Sequence, residues 1–243
     1  MTSYKPRNSI EFKVSGRYAL FTDPLTKVGG EKCSYHVPTY EALKGVAKSI
    51  YWKPTLIWVI DEVRVMKRVR TQTKGVKPME FSGGNSLAIY TFLADVEYQV
   101  RAHFEWNEHR IELGDDRIEG KHHAITQRMV ERGGRQDIFL GTRDCQAYAE
   151  ACVFGEGAGA LDDAGELAFG LMFHGFDYPD ETGDGKLHAR FWRPTMVNGV
   201  IRFTHPQDCT ERKFVRDMTV KPFGLDKSLQ SVEAEALAMG VTE

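Results

Sequence analysis

The segment EGKHHAITQRMVERGG, residues 119–134, sets a lysine and two histidines side by side where helical periodicity begins. Lys121, His122 and His123 admit three chemistries: metal ligation, core packing, or work on a phosphate. Spacing argues against metal, because adjacent helical residues point about 100° apart, whereas helical histidine ligands sit at i, i+4. Cys33, Cys145, Cys152 and Cys209 form no CxxC pair to substitute, so free thiols, no metal and no cofactor are expected. Packing competes better. His122, Ile125 and Met129 fall at i, i+3 and i+7, which on geometry alone makes His122 a satisfied histidine at a core edge. His123 shares its side with Gln127 and Val130 and receives no role.

A phosphate fits the same place. A helix N-terminus offers free N–H groups and a positive dipole end, Lys121 adds a full charge, and Arg128, Arg132, Arg135 and Arg143 follow. If the polyanion is RNA, a histidine has a task without metal, since the 2′-OH beside each phosphate attacks it once deprotonated. A fixed lysine would then favour the transition state, where charge gathers on the phosphoryl oxygens. Tyr51 joins this set as a proton donor or relay, provided that Lys44 and Lys48, at i−7 and i−3 on its helix face, lower its pKa.

These side chains need elements to hold them. Strand periodicity covers 11–21, and a turn-rich stretch leads to a helix from Thr39, with Tyr40, Leu43, Ala47 and Ile50 inward, stopped near Trp52 by Pro54. Residues 55–66 and 96–106 read as strands, the second alternating with an outward Asp95, Glu97, Gln99, Arg101, His103 and Glu105. A polar loop precedes the KHH helix, which ends at Gly133-Gly134, and 147–154 adds a strand. The order predicts an α+β fold: a ferredoxin-like (RRM-like) split βαβ domain over 1–154, then a small antiparallel β-sheet domain over 155–225. Glycine-rich, acidic GEGAGALDDAGE marks the boundary, ELAFGLMFHGF, KLHARFW and VIRFT supply the second sheet, and 226–243 form an acidic tail, helical or disordered.

With 243 residues, 42% hydrophobic, the chain is long enough for an adequate core. Its mean hydropathy of −0.40 and lack of a long apolar run place it in the cytoplasm, away from membranes. A net charge of −2 conceals a division: residues 1–77 carry 15 Lys/Arg against 6 Asp/Glu, and residues 144–186 carry 1 against 10. A polyanion is drawn to the first segment and repelled by the second. RVMKRVRTQTKGVK, residues 64–77, is the densest part, and a solvated strand end and loop explains it as well as nucleic-acid binding does.

FTDPLTKVGGEK, VPTYEALKGVAKSIYWKP, VIDEVRVMK, GKHH, GGRQDIFLGTRDCQAY and HGFDYPDE together resemble the Cas-five-d proteins of type I-C CRISPR systems, of the RAMP superfamily, in order from about residue 10 to residue 192. The resemblance implies a metal-independent endoribonuclease that cuts the repeat hairpin of the precursor transcript, leaving a 2′,3′-cyclic phosphate and a 5′-OH. It also implies that the protein stays on the guide RNA 5′ handle beside other subunits of the surveillance complex. The family's catalytic Tyr, Lys and His match Tyr51, Lys121 and His122, which moves His122 from packing to acid/base chemistry. RNA contacts are then expected from Lys44, Lys48, Arg64, Lys67, Arg68, Arg70, Lys74, Gly83, Gly84 and Arg128, reading hairpin shape and flanking single strand. The main alternative is a non-catalytic scaffold that holds guide RNA or double-stranded DNA. A more distant one is a metal hydrolase using His122, His123 and a remote acid.

Overall fold

Alternation in SIEFKVSGRYA makes Ser9–Ala19 the strand β1, with Ile10, Phe12 and Val14 buried. The computed structural model describes residues 7–24, 26–79 and 81–220, so the expected acidic tail lies outside the described residues. Helix α1, Tyr40–Ile50, starts where Thr39 Oγ1 accepts a hydrogen bond from the Ala42 amide at 3.2 Å. It buries Tyr40, Leu43, Val46, Ala47 and Ile50. Strands β2 (Leu56–Val65), β3 (Thr71–Val76) and β4 (Ala88–Trp106) follow, then α2 (Glu119–Glu131), β5 (Ile138–Phe139) and β6 (Gln146–Ala151).

The fold is mixed α/β, mostly antiparallel sheet with few helices. One sheet runs β5-β6-β1-β4-β2 and continues through β11 (Val200–Arg202), β10 (Thr195–Val197) and β7 (Glu166–Ala168), with β3 hydrogen-bonded to β4. A second sheet, β12-β9-β8, comprises Glu211–Asp217, Lys186–Trp192 and Met172–Asp177. VIRFT, expected in the smaller sheet, instead pairs with β2 through Ile201 opposite Val63 and extends the large one. The basic segment also differs from expectation, because Thr71–Val76 is a paired strand rather than a loop, matched to Ala88–Leu93 of β4.

β4 starts before the expected residue 96. Asp95, at φ 54°, interrupts its alternation, and Lys67 and Arg70 hold the exposed carboxylate at 2.7 and 3.1 Å. Beyond this kink the strand shows Val96, Tyr98, Val100, Ala102 and Phe104 to the core. On the opposite side His103 meets Asp61 at 2.9 Å, so its expected outward direction ends in an ion pair.

The smaller sheet docks on α1 through polar groups. Tyr40 stacks on buried His174 with centroids 4.2 Å apart, and burial, then the Arg190 charge, pushes that imidazole down to about 3. The short helix α3, Pro179–Thr182, sends Glu181 to Lys44 and, at 3.1 Å, to Lys48. Among the described residues no helix is long and apolar enough to cross a membrane.

Candidate active site

The first turn of α2 and the C-terminal end of α1 meet. Tyr51 is the residue at which the chain leaves α1, its amide still bonded to the Ala47 carbonyl at 3.0 Å. Its own carbonyl accepts the Trp58 indole N–H at 2.7 Å, so the backbone of the tyrosine is fixed on both sides. From there the phenol reaches His122 Nδ1 at 2.9 Å. His122 is fully buried, edge-on to Trp106 at 5.6 Å and near Phe104, and Tyr51 is 3% exposed.

The partners of the imidazole decide its tautomer. Nε2 lies 2.6 Å from the backbone carbonyl oxygen of Asp116, which can only accept, so Nε2 carries the hydrogen. In the neutral ring Nδ1 is then the lone-pair nitrogen, and the Tyr51 hydroxyl donates to it. A tyrosine aimed at an imidazole whose far side is held by a fixed acceptor follows the logic of nucleophile, base and orienting group.

Asp116 organises the rest. It closes a 3₁₀ turn, Ile111–Asp116, in the segment that the sequence reading passed over as a polar loop. Its carboxylate accepts from Lys121 Nζ at 2.5 Å and Thr55 Oγ1 at 2.9 Å, lies 3.4 Å from Lys53 Nζ, and is 3.5 Å from His122 Nε2. Burial raises its pKa, but Lys121, Thr55, Lys53 and His122 together overcome that and hold it at about 2. Lys121 itself is 41% exposed at its side chain and faces solvent.

Tyr51, Lys121 and His122 are thus brought together, Lys121 through Asp116 rather than by direct contact with the ring. The Tyr51 pKa is raised by burial and by the Asp116 charge, with Arg135 opposing. This reverses the expectation that Lys44 and Lys48 lower it, because both ammonium groups turn to Glu181 instead. His123 Nε2 is 3.1 Å from the Ser9 carbonyl, so the two adjacent histidines spend their ring nitrogens on unrelated partners and do not form a ligand pair.

The expected RNA contacts divide. Lys44 is 1% exposed and locked to Glu181. Arg64 is buried and bonded to Asp162, Gln99 and the carbonyls of Glu156 and Gly157. Neither presents a charge to solvent, and both expectations are corrected: each guanidinium or ammonium ties parts of the fold together. Lys67 and Arg70 share Asp95. Arg68 and Arg128 are exposed, Gly83 and Gly84 lie in the exposed connection between β3 and β4, and Lys74 lies 3.2 Å over the Tyr18 ring. Asp116, Thr55 and Lys53 were missed; Lys53 alone had a signal, its place in SIYWKP beside Tyr51.

Comparison with known proteins places the chain in a family. Residues 9–204 match the family model described as CRISPR-associated protein (Cas_Cas5). A curated relative from Mannheimia succiniciproducens, named CRISPR pre-crRNA endoribonuclease Cas5d, is 29% identical over 222 residues, covering 80% of this chain and 94% of the relative. One of the same name from Thermus thermophilus is 28% identical over 195 residues, covering 76% and 80%. Among solved structures, one titled as a CRISPR-associated protein superposes with TM-score 0.72 at 34% identity, over 84% of this chain and 96% of that one. The Streptococcus mutans protein SMU1763c, described as functionally uncharacterized, gives TM-score 0.70 at 37% identity over the same shares. With its family model spanning both halves of the site, the chain belongs to the Cas5d family of CRISPR-associated proteins.

Proposed function

We propose that this protein is a metal-independent endoribonuclease that cleaves the repeat hairpin of CRISPR precursor transcripts by attack of a 2′-OH on the adjacent phosphate. The observation that carries the reading is the hydrogen bond from the Tyr51 phenol to His122 Nδ1, with Nε2–H fixed on the Asp116 carbonyl. In this mechanism the 2′-OH gives its proton to the phenol oxygen as the phenolic proton passes to Nδ1. The 2′-oxygen bonds to phosphorus, and the P–O bond to the 5′-oxygen breaks. That oxygen takes a proton from solvent, leaving a 2′,3′-cyclic phosphate and a 5′-OH. Lys121 neutralises the phosphoryl oxygens. Because Tyr51 and His122 lie below the surface, side chains around them must shift to admit the 2′-OH to the phenol.

The strand order β6-β1-β4-β2 with helices after the first and third of these strands in sequence supports reading the core as ferredoxin-like. We assign it to residues 1–154, with 155–225 as the smaller β unit. Retention on the guide 5′ handle, contact with other complex subunits and a cytoplasmic location belong to the same reading, with Lys48, Lys67, Arg68, Arg70, Lys74, Gly83, Gly84 and Arg128 as the remaining RNA contacts. Complete burial of His122 favours a second reading, a scaffold that binds guide RNA or double-stranded DNA without turnover. Incubating the purified protein with its repeat hairpin in EDTA separates them. Cleavage that disappears in His122→Ala, and in RNA with a 2′-deoxy scissile nucleotide, supports the nuclease; no cleavage by wild type supports the scaffold.

A further inference from the structure

Beside Tyr51 lies an open cleft of about 530 Å³ lined by Lys48, Ser49, Trp52, Arg135 and Gln136. We propose that it is a nucleotide pocket, in which Trp52 stacks the base and Arg135 holds the phosphate of an unpaired residue next to the scissile linkage. This rests on the nuclease reading for its substrate, but its walls are argued independently.

The cleft is built by a strap. After α2, Gly133 and Gly134 adopt φ of 82° and 110°, values open to glycine but costly for other residues, and turn the chain back onto α1. The Arg135 amide then donates to the carbonyls of Ser49 and Ile50 at 3.1 and 3.2 Å, and the Gln136 amide donates to Ser49 at 3.0 Å. These bonds satisfy the last carbonyls of α1 and bring the side chains of residues 135 and 136 alongside Trp52.

What the strap delivers is unused by the fold. The Arg135 guanidinium and the Gln136 amide are exposed, and neither side chain has a partner among the described residues. Arg135 is nevertheless close enough for its charge to act on the Tyr51 phenol. Trp52 is 39% exposed one residue after that phenol, and Lys48, although paired with Glu181, keeps 31% of its side chain open. An aromatic face for any base, a planar cation for phosphate and an amide able to donate and accept on a base edge are what recognition of a splayed-out nucleotide requires. An acidic or apolar ligand would leave at least one of these groups idle.

The test uses the full chain and a repeat hairpin made uncleavable by 2′-deoxy substitution at the scissile nucleotide. Single abasic sites are placed in turn within about two nucleotides on either side of the cleavage point, and affinity is measured by anisotropy. At one position base removal should weaken wild-type binding on the order of ten- to a hundredfold, the range for loss of one stacked base. The same abasic RNA should bind Trp52→Ala no more weakly than intact RNA does, while Trp52→Phe should keep part of the discrimination. Trp52 is also the most exposed of the four tryptophans, so intact RNA should quench wild-type fluorescence and the matching abasic RNA should not. Equal base dependence in wild type and Trp52→Ala at every position would overturn the pocket. Because the readout is binding of uncleavable RNA, it stands or falls separately from turnover.

Discussion

If Tyr51 and His122 act as one relay, their removal must not multiply. Tyr51→Phe deletes a single hydroxyl, leaving Nδ1 of a fully buried ring without the donor that stands 2.9 Å away. Such an unpaired group costs about 1–3 kcal/mol, and for a chain of this size each kcal/mol moves Tm by roughly 2–4 °C, so a folded variant with lowered Tm is expected. The effect on chemistry is larger. Positioned proton transfer contributes roughly 10²–10⁴ in rate, or about 3–5 kcal/mol of barrier. His122→Gln should cost a similar factor while retaining a polar side chain near the Asp116 carbonyl. Single-turnover cleavage of the repeat hairpin in EDTA then yields a double-mutant cycle. Two members of one relay give a double variant about as slow as the slower single one, whereas independent groups give the product, on the order of 10⁴–10⁸. A double variant slower than either single one by a further hundredfold would refute the relay even if both residues prove essential.

Other consequences are checked more simply. Lys121→Ala should slow single-turnover cleavage by roughly 10²–10³ with hairpin affinity changed far less, because the lysine acts on charge that develops only in the transition state. Asp116→Asn should lose on the order of 2 kcal/mol of stability at pH 7, corresponding to a carboxyl held at about 2 against an ordinary 3.8. The depressed pKa means that this contribution is complete above pH 3.8 and disappears as pH falls through about 2, so denaturant curves of the two proteins should converge in acid. His103 behaves oppositely: the hydrogen bonds that it donates to Asp61 and Glu105 raise it from 6.5 to about 9. Its stabilisation, of order 1–3 kcal/mol, is complete below pH 6.5 and lost as pH rises through 9, and His103→Gln should therefore destabilise at pH 6 but not at pH 10. Lys44→Ala should lower stability by about 1–3 kcal/mol by leaving Glu181 to Lys48 alone, without changing the salt dependence of RNA binding measured below its Tm.

The helix carrying Tyr51 was legible because its apolar spacing, the Thr39 cap and Pro54 all signal locally. The KHH helix was legible as an element, and the packing side on which its spacing placed His122 is the buried one. Asp116 was not, since nothing in a run of polar loop residues reveals which carboxylate a 3₁₀ turn will aim at a lysine five residues on. Lys44 misled for a related reason. Helical spacing puts it on a flank, but whether that flank is wet depends on α3, some 135 residues later, whose Glu181 covers it. Arg64 was misread likewise, because a basic run gives no sign that one member will be enclosed by the 156–162 loop. The VIRFT strand joined the larger sheet because edge pairing with β2 was open to it, and alternation within a strand does not name its neighbour.

β4 occupies 19 residues, an unbroken length of roughly 60 Å. Along one edge it hands over from β3, paired to residues 88–93, to β2, paired to 98–106, while β1 runs along the other edge from 93 to 103. Losing or gaining one residue within this strand would turn inside out whichever half lay beyond the change, and the register shift that its pairing does accommodate lies in β2, between Ile60 and Glu62, opposite Ala102 and Arg101. The reading frame of this segment is therefore locked in length. The connection between β3 and β4, where residues 81–85 are exposed, follows no such alternation, so a residue added there would leave the barrier between core and solvent in place.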